Sequence, residues 1–207
     1  MSLLWPERLT VVLEPRPPQE PQPWQGALDD FKHRMAALRG RVDVTVVLSN
    51  HFVRYALVPP QDDAATGEEE LALARFQFAR IHGERAKAWE VRLSPESAGA
   101  QLACAIDAAL LEGLKACFPA SGKARLASVQ PYLMAAFNRA RRRIPREGAW
   151  LLLAEPRRAC LARLAARGWA SVHNGAETGW EQLLERERSR ASGERLPSLV
   201  LREQLGA

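Results

Sequence analysis

Arg139, Arg141, Arg142, Arg143 and Arg146 put five arginines into eight residues. Such a run can contact phosphates or an anionic membrane surface through charge-assisted hydrogen bonds. Ala140, Ile144 and Pro145 interrupt it, and no aromatic side chain is interleaved for base stacking. The competing reading is a solvated helix end, where cations suit the negative pole of the helix dipole. We favour the helix end and keep these five arginines as candidate surface or anion contacts. A second group, Arg186, Arg188 and Arg190, alternates with Glu185 and Glu187 and fits an exposed helical face.

Other chemistry is sparse. His33, His51, His82 and His173 are the only histidines, and none lies within five residues of another. No metal-ligand spacing follows from that pattern. The sequence has no Gly-x-Ser-x-Gly elbow, no Gly-x-x-x-x-Gly-Lys phosphate loop and no Gly-x-Gly-x-x-Gly. Of the six aspartates, Asp43 falls in a predicted strand and Asp107 just after one, a thin basis for a two-metal nuclease. Cys104, Cys117 and Cys160 are widely spaced in apolar surroundings, which predicts buried, reduced thiols. Asn50 and His51 could make polar contacts, but a turn accounts for both.

The elements that would position these residues can be read from periodicity. Arg8–Leu13 is a β-branched run, and five prolines between Glu14 and Pro23 make an extended connector. Trp24 to Leu38 repeats apolar residues every three or four positions, as an amphipathic helix does. In Val42–Pro59 two β-branched runs flank Ser49-Asn50-His51, which predicts a tight β-hairpin. Glu68–His82 reads as a helix with acids in its first turn, and Ala88–Leu93 as a strand. A short strand at Gln101–Ala105 leads into a helix from Ile106 to Cys117. Ala124–Val129 is a strand, and Pro131 opens a helix running through Arg143.

After Gly148 the pattern restarts. Ala149–Ala154 is a strand, Glu155-Pro156-Arg157-Arg158 a turn, and Ala159–Ala166 a strand or helix. A strand at Gly168–His173, a helix at Gly179–Arg190 and a strand at Pro197–Leu201 complete the chain. The six tryptophans are expected in the core or between modules. The order suggests an α/β protein of two related modules, residues 1–145 and a shorter 146–207.

Charge and hydropathy narrow the class. Lys plus Arg is 29 against 24 Asp plus Glu, a formal charge of +5, and 47% of residues are hydrophobic. The whole excess is C-terminal, because residues 139–207 carry 14 Arg, no Lys and 8 Glu. Arg outnumbers Lys by 25 to 4, which matches the composition of a GC-rich genome and weakens any argument from arginine alone. Apolar content suffices for a sizeable core. No apolar run approaches the ~18 residues of a membrane span, and the N-terminus lacks the features of a secretory signal.

Several segments resemble the actin-like assembly proteins of type IV pili and type II secretion: the PilM, MshI-type agglutinin biogenesis and GspL cytoplasmic-domain proteins. They are Trp24-Gln25-Gly26-Ala27-Leu28, Val44 to Pro59, Ala105 to Leu111 and Ser128-Val129-Gln130-Pro131-Tyr132-Leu133. The resemblance implies a ribonuclease H-like, actin-like ATPase fold in two modules, the second reduced. It further implies a non-enzymatic cytoplasmic scaffold that binds the cytoplasmic tail of a PilN-like inner-membrane protein. Attachment to the inner membrane would then be peripheral, through that partner. In the PilM branch, Asp-x-Gly turns after the first strand of each module hold the nucleotide phosphates. Here those places carry Glu14-Pro15-Arg16-Pro17-Pro18 and Glu155-Pro156-Arg157-Arg158, with no glycine and with prolines that lack an N–H. The expectation is therefore a pseudo-ATPase without cofactor. The alternatives are an actin-like ATPase that holds ATP despite these turns, and a nucleic-acid-binding protein acting through Arg139–Arg146.

Overall fold

The computed structural model describes residues 7–16, 22–60, 66–95, 99–120, 122–176, 179–191 and 196–201. Trp5 and residues 17–21 of the proline-rich connector lie outside them.

Two small sheets come first in the chain. Strand β1 (Glu7–Leu13) leads to helix α1 (Gln25–Ala37) and back to β2 (Val42–Leu48), which pairs with it in parallel. The β-branched run of β2 is buried on alternate residues and almost throughout its second half, as suits a central parallel strand covered on both faces. Strand β6 (Ala124–Pro131) joins the other side of β2, giving the order β1-β2-β6. The register shifts after Val44, so that Ala127 is an extra residue on β6, a bulge on an edge strand.

Between β2 and β6 the chain builds the second sheet. Strand β3 (Val53–Val58) is followed by helix α2 (Gly67–His82), β4 (Trp89–Leu93) and β5 (Gln101–Asp107). The sheet is antiparallel in the order β3-β5-β4, with α2 packed on one face through Ala74 and Phe78. Helix α2 starts at a capping box in which Thr66 and Glu69 satisfy each other's backbone donors. Helix α3 (Ala108–Ala116) begins where the Asp107 side chain accepts from the N–H of Ala109. Helix α4 (Tyr132–Ala140) follows β6 and ends in a single 3-10 turn at Arg141–Arg143.

The predicted hairpin at Val42–Pro59 does not form. Its first strand pairs with β1 and β6, and its second pairs with β5 in a different sheet. The turn at Ser49-Asn50-His51 passes the chain from one sheet to the other. Each strand pairs with strands from elsewhere in the chain, so the local turn signal set direction and not pairing.

The last sheet has the order β10-β7-β8-β9, built from β7 (Gly148–Glu155), β8 (Arg158–Ala165), β9 (Gly168–Gly175) and β10 (Ser198–Leu201). Strands β7 to β9 form an antiparallel meander, and β10 returns parallel to β7 after helix α5 (Trp180–Arg190). The ambiguous segment at Ala159–Ala166 is thus a strand. Trp150 and Leu152 face α5 with Leu183 and Leu184, while Leu151 and Leu153 face α4 with Leu133 and Ala136. Burial on both faces explains why Ala149–Ala154 is a continuous apolar run and not an alternating one. Gly148 has φ +115°, and a Cβ there would collide with the Leu164 carbonyl of the paired strand.

Candidate functional site

Two places concentrate the molecule's unusual features. One is the turn after β2, where Ser49 and Asn50 are fully buried although polar. Both are met by the end of β7. The Ser49 hydroxyl donates to Glu155 Oε1 (2.5 Å) and the Asn50 N–H donates to Glu155 Oε2 (3.1 Å). From β9, Asn174 Nδ2 donates to the carbonyls of Asn50 and Val53, each at 2.9 Å. The Tyr55 hydroxyl donates to Asn50 Oδ1 at 2.7 Å, and His51 Nε2 lies 3.0 Å from the Pro156 carbonyl. Arg158 donates to Asn174 Oδ1 at 3.3 Å.

Burial raises the Glu155 carboxyl above the ordinary range, against the pull of the Ser49 and Asn50 donors that favour its charged form. Desolvation likewise lowers His51 and the Arg158 guanidinium. A serine beside a carboxylate could suggest a nucleophile and base. The geometry argues for a structural tie instead, because Ser49 has no exposed surface and both carboxylate oxygens are taken by turn donors. Glu155 thus spends its charge on holding two sheets together. Arg157 takes the left-handed conformation (φ +60°) in the turn between β7 and β8, where a glycine would be the unstrained choice.

The other place is a groove of about 450 Å³ between the edge strands β6 and β4. Leu126, Val129 and Met134 line one side and Leu93, Cys104 and Ile106 the other, with Leu111 of α3 at the rim. Glu90 and Arg92, which pair at 2.9 Å, and Lys115 supply charge at its border. Strands β6 and β4 both line the groove and are the outer members of their sheets, so each has one side free of ladder partners among the described residues. Beyond Ser94 and Pro95 the surface continues into a shallower cavity bordered by Glu70, Leu71 and Gln101. Gln101 is 6% exposed, and its Oε1 has no hydrogen-bond partner.

The residues singled out from sequence fall elsewhere. Arg139 closes α4, while Arg141, Arg142, Arg143 and Arg146 are exposed on and after the 3-10 turn, about the helix end that the dipole argument anticipated. The three cysteines are free, and burial raises their thiols, Cys104 to about 12. They are therefore poor nucleophiles. Among the described residues no group of three or more His, Cys, Asp or Glu could hold a metal ion. No described helix is long and apolar enough to cross a membrane. Glu155 was visible in sequence only as a departure from a glycine-bearing turn. Its partners stand 105 and 106 residues away, beyond any local pattern.

No known protein family and no curated protein matches the chain. Solved structures do. The cytoplasmic domain of EpsL, an inner-membrane component of the type II secretion system of Vibrio cholerae, is 13% identical and superposes with a TM-score of 0.52 over 95% of this chain and 82% of that one. A Bacteroides thetaiotaomicron protein of unknown function with an actin-like ATPase fold is 10% identical, with a TM-score of 0.55 over 87% of this chain and 68% of that one. A chain of a PilM–PilN type IV pilus biogenesis complex is 16% identical over 80% of this chain and 52% of its own, with a TM-score of 0.49, too low to weigh on the fold. The fold is that of the actin-like ATPases, as the sequence resemblance implied.

Proposed function

We propose that this protein is a non-enzymatic scaffold of type II secretion or type IV pilus assembly that receives an extended tail of an inner-membrane protein. The carrying observation is the apolar groove with a free strand edge on either side. An extended peptide laid there would satisfy backbone donors and acceptors of β6 or β4 by strand addition. Its alternate side chains would enter the space between Val129, Met134, Leu93 and Ile106. Fold likeness to a type II secretion component supports the choice of system. Residues 1–145 then form the module that holds the groove, and residues 146–207 a shorter module that braces it from behind.

The same reading assigns no ATP hydrolysis. Donors of the kind that hold phosphates, the Ser49 hydroxyl and the Asn50 N–H, are already bound to the chain's own carboxylate. Calorimetry with millimolar ATP and Mg²⁺ should give no binding heat. A saturable heat would overturn the scaffold reading in favour of an ATPase.

Peptide binding tests the groove directly. Fluorescence anisotropy would use labelled cytoplasmic tails of inner-membrane type II secretion and type IV pilus proteins. At least one tail should bind, and Ala127→Trp, which fills the groove from an exposed position, should weaken it by about tenfold or more. Failure of every tail to bind removes the proposal.

A further inference from the structure

The sheet β3-β5-β4 is used differently on its two faces. Cys104 and Ile106 of β5 line the groove, whereas Ala103 and Ala105 pack with Val91 of β4 under α2. Gln101 has the parity of Ala103, so it stands on the α2 face. There the shallower cavity, of about 360 Å³, opens between the first turns of α2 and the end of β4, bounded by Glu70, Leu71, Leu93, Pro95 and Gln101. Two acceptors at this cavity are unused. Gln101 Oε1 is buried without a hydrogen-bond partner, a desolvation cost that native folds seldom leave unrecovered. Glu70 is half-buried and forms no ion pair among the described residues. Arg92, the other charged residue at the cavity, is held by Glu90 at 2.9 Å.

We infer that the tail adds to the free edge of β4 and not to that of β6, and that it places a lysine or arginine of its own in this cavity, against Glu70 and Gln101. This rests on the tail-binding role proposed for the groove. A strand laid along a sheet edge sends successive side chains to opposite faces. On β4, one set enters the apolar groove and the other comes round onto the α2 face, where the second cavity waits. Leu71, Leu93 and Pro95 would flank the alkyl stem of the basic side chain while its head reaches the two acceptors. The cytoplasmic flanks of membrane spans carry an excess of Lys and Arg, so a tail of an inner-membrane protein brings the cation that this cavity lacks. The edge of β6 is less suited to it. The cavity at the start of β6 carries Lys32, Arg39 and Lys123 with no acid among its lining residues, and would repel the same tail.

Fluorescence anisotropy with the full chain and the labelled tails tests it. In a tail that binds, each Lys and Arg is replaced in turn by Gln. One position should carry a loss of about tenfold, and Glu70→Gln and Gln101→Leu should each weaken the unaltered tail by about tenfold. In Glu70→Gln, the loss from the tail's own substitution should shrink to about twofold, because the two changes remove one contact. Gln101→Leu deletes an unpartnered buried acceptor, so its melting temperature should equal or exceed that of the wild type, which separates lost binding from lost folding. The inference is overturned if a tail binds but none of its Lys or Arg positions matters. It is equally overturned if Glu70→Gln and Gln101→Leu bind that tail as the wild type does. The groove then remains a tail site, with β6 as its edge. If no tail binds at all, the groove loses its proposed role and this inference falls with it.

Discussion

The turn after β2 and the groove beside β6 lie on strands of one sheet, yet they treat polar backbone and side chains in opposite ways. At the turn, buried polar groups are gathered and largely matched: Glu155, Asn174, Tyr55 and the His51 N–H close on Ser49 and Asn50, leaving Asn50 Nδ2 and Arg158 Nε without a partner. In the groove, two strand edges stay open above an apolar floor. A densely bonded network fixes one arrangement, since each further member left unmatched would cost its desolvation. An open edge costs little while water reaches it, and it keeps hydrogen bonds in reserve for a ligand. The contrast teaches where this chain keeps rigidity and where it keeps binding capacity.

The largest break in that contrast comes from removing Glu155. Glu155→Ala leaves the Ser49 hydroxyl and the Asn50 N–H buried without an acceptor, at a cost of about 3 kcal/mol. For a chain of this size that is roughly 10 °C in melting temperature. Thermal unfolding checks it, and an unchanged midpoint would mean the tie between β2 and β7 contributes nothing. Asn174→Ala should follow at about 2 kcal/mol, because two buried carbonyls lose their donor while the carboxylate tie survives.

Acidity separates charge from hydrogen bonding at the same tie. Burial places the folded carboxyl of Glu155 above its ordinary value of 4.5. A raised acid contributes most below the unfolded pKa, and that contribution fades as pH rises through the folded pKa. Wild type should therefore gain stability relative to Glu155→Gln as pH falls from neutrality toward about 4.5. Urea unfolding of both proteins at the two pH values measures the difference. A constant difference would show that the carboxyl titrates as an exposed one does.

These dependencies explain how much could be read in the sequence. Helices α1, α2 and α5 were legible within about two residues, because each carries its own apolar period and stop signal. Strand β7 was recognisable too, since a continuous apolar run bounded by Gly148 and Pro156 leaves few other states, whereas the period of β8 fitted strand and helix alike. Strand pairing was not legible. The Asn50-His51 turn looked like a hairpin because turn chemistry is local, whereas the partners of β2 and β3 are chosen by sheets that form across the chain. Asn50 was read as a turn residue alone, yet it is also the hub that Tyr55 and Asn174 bond. The groove was hidden for the same reason, since an edge strand is defined by what fails to pair with it. The arginine run drew attention by density, but density on an exposed helix end carries no geometry.

The smallest effect on stability belongs to the groove, and it makes the comparison sharp. Ala127 is exposed and bulged out of the β2–β6 ladder, so replacing it does not open a cavity or orphan a buried group. Ala127→Trp should therefore change stability by no more than about 0.5 kcal/mol. The same substitution is expected to weaken tail binding by about tenfold, equivalent to roughly 1.4 kcal/mol at the groove. Equilibrium unfolding and peptide titration on one preparation give both numbers. If Ala127→Trp instead destabilised the fold as much as Asn174→Ala does, the β6 edge would be part of the rigid frame. The division between a closed junction and an open groove would then fail, because binding and stability would be drawing on the same contacts.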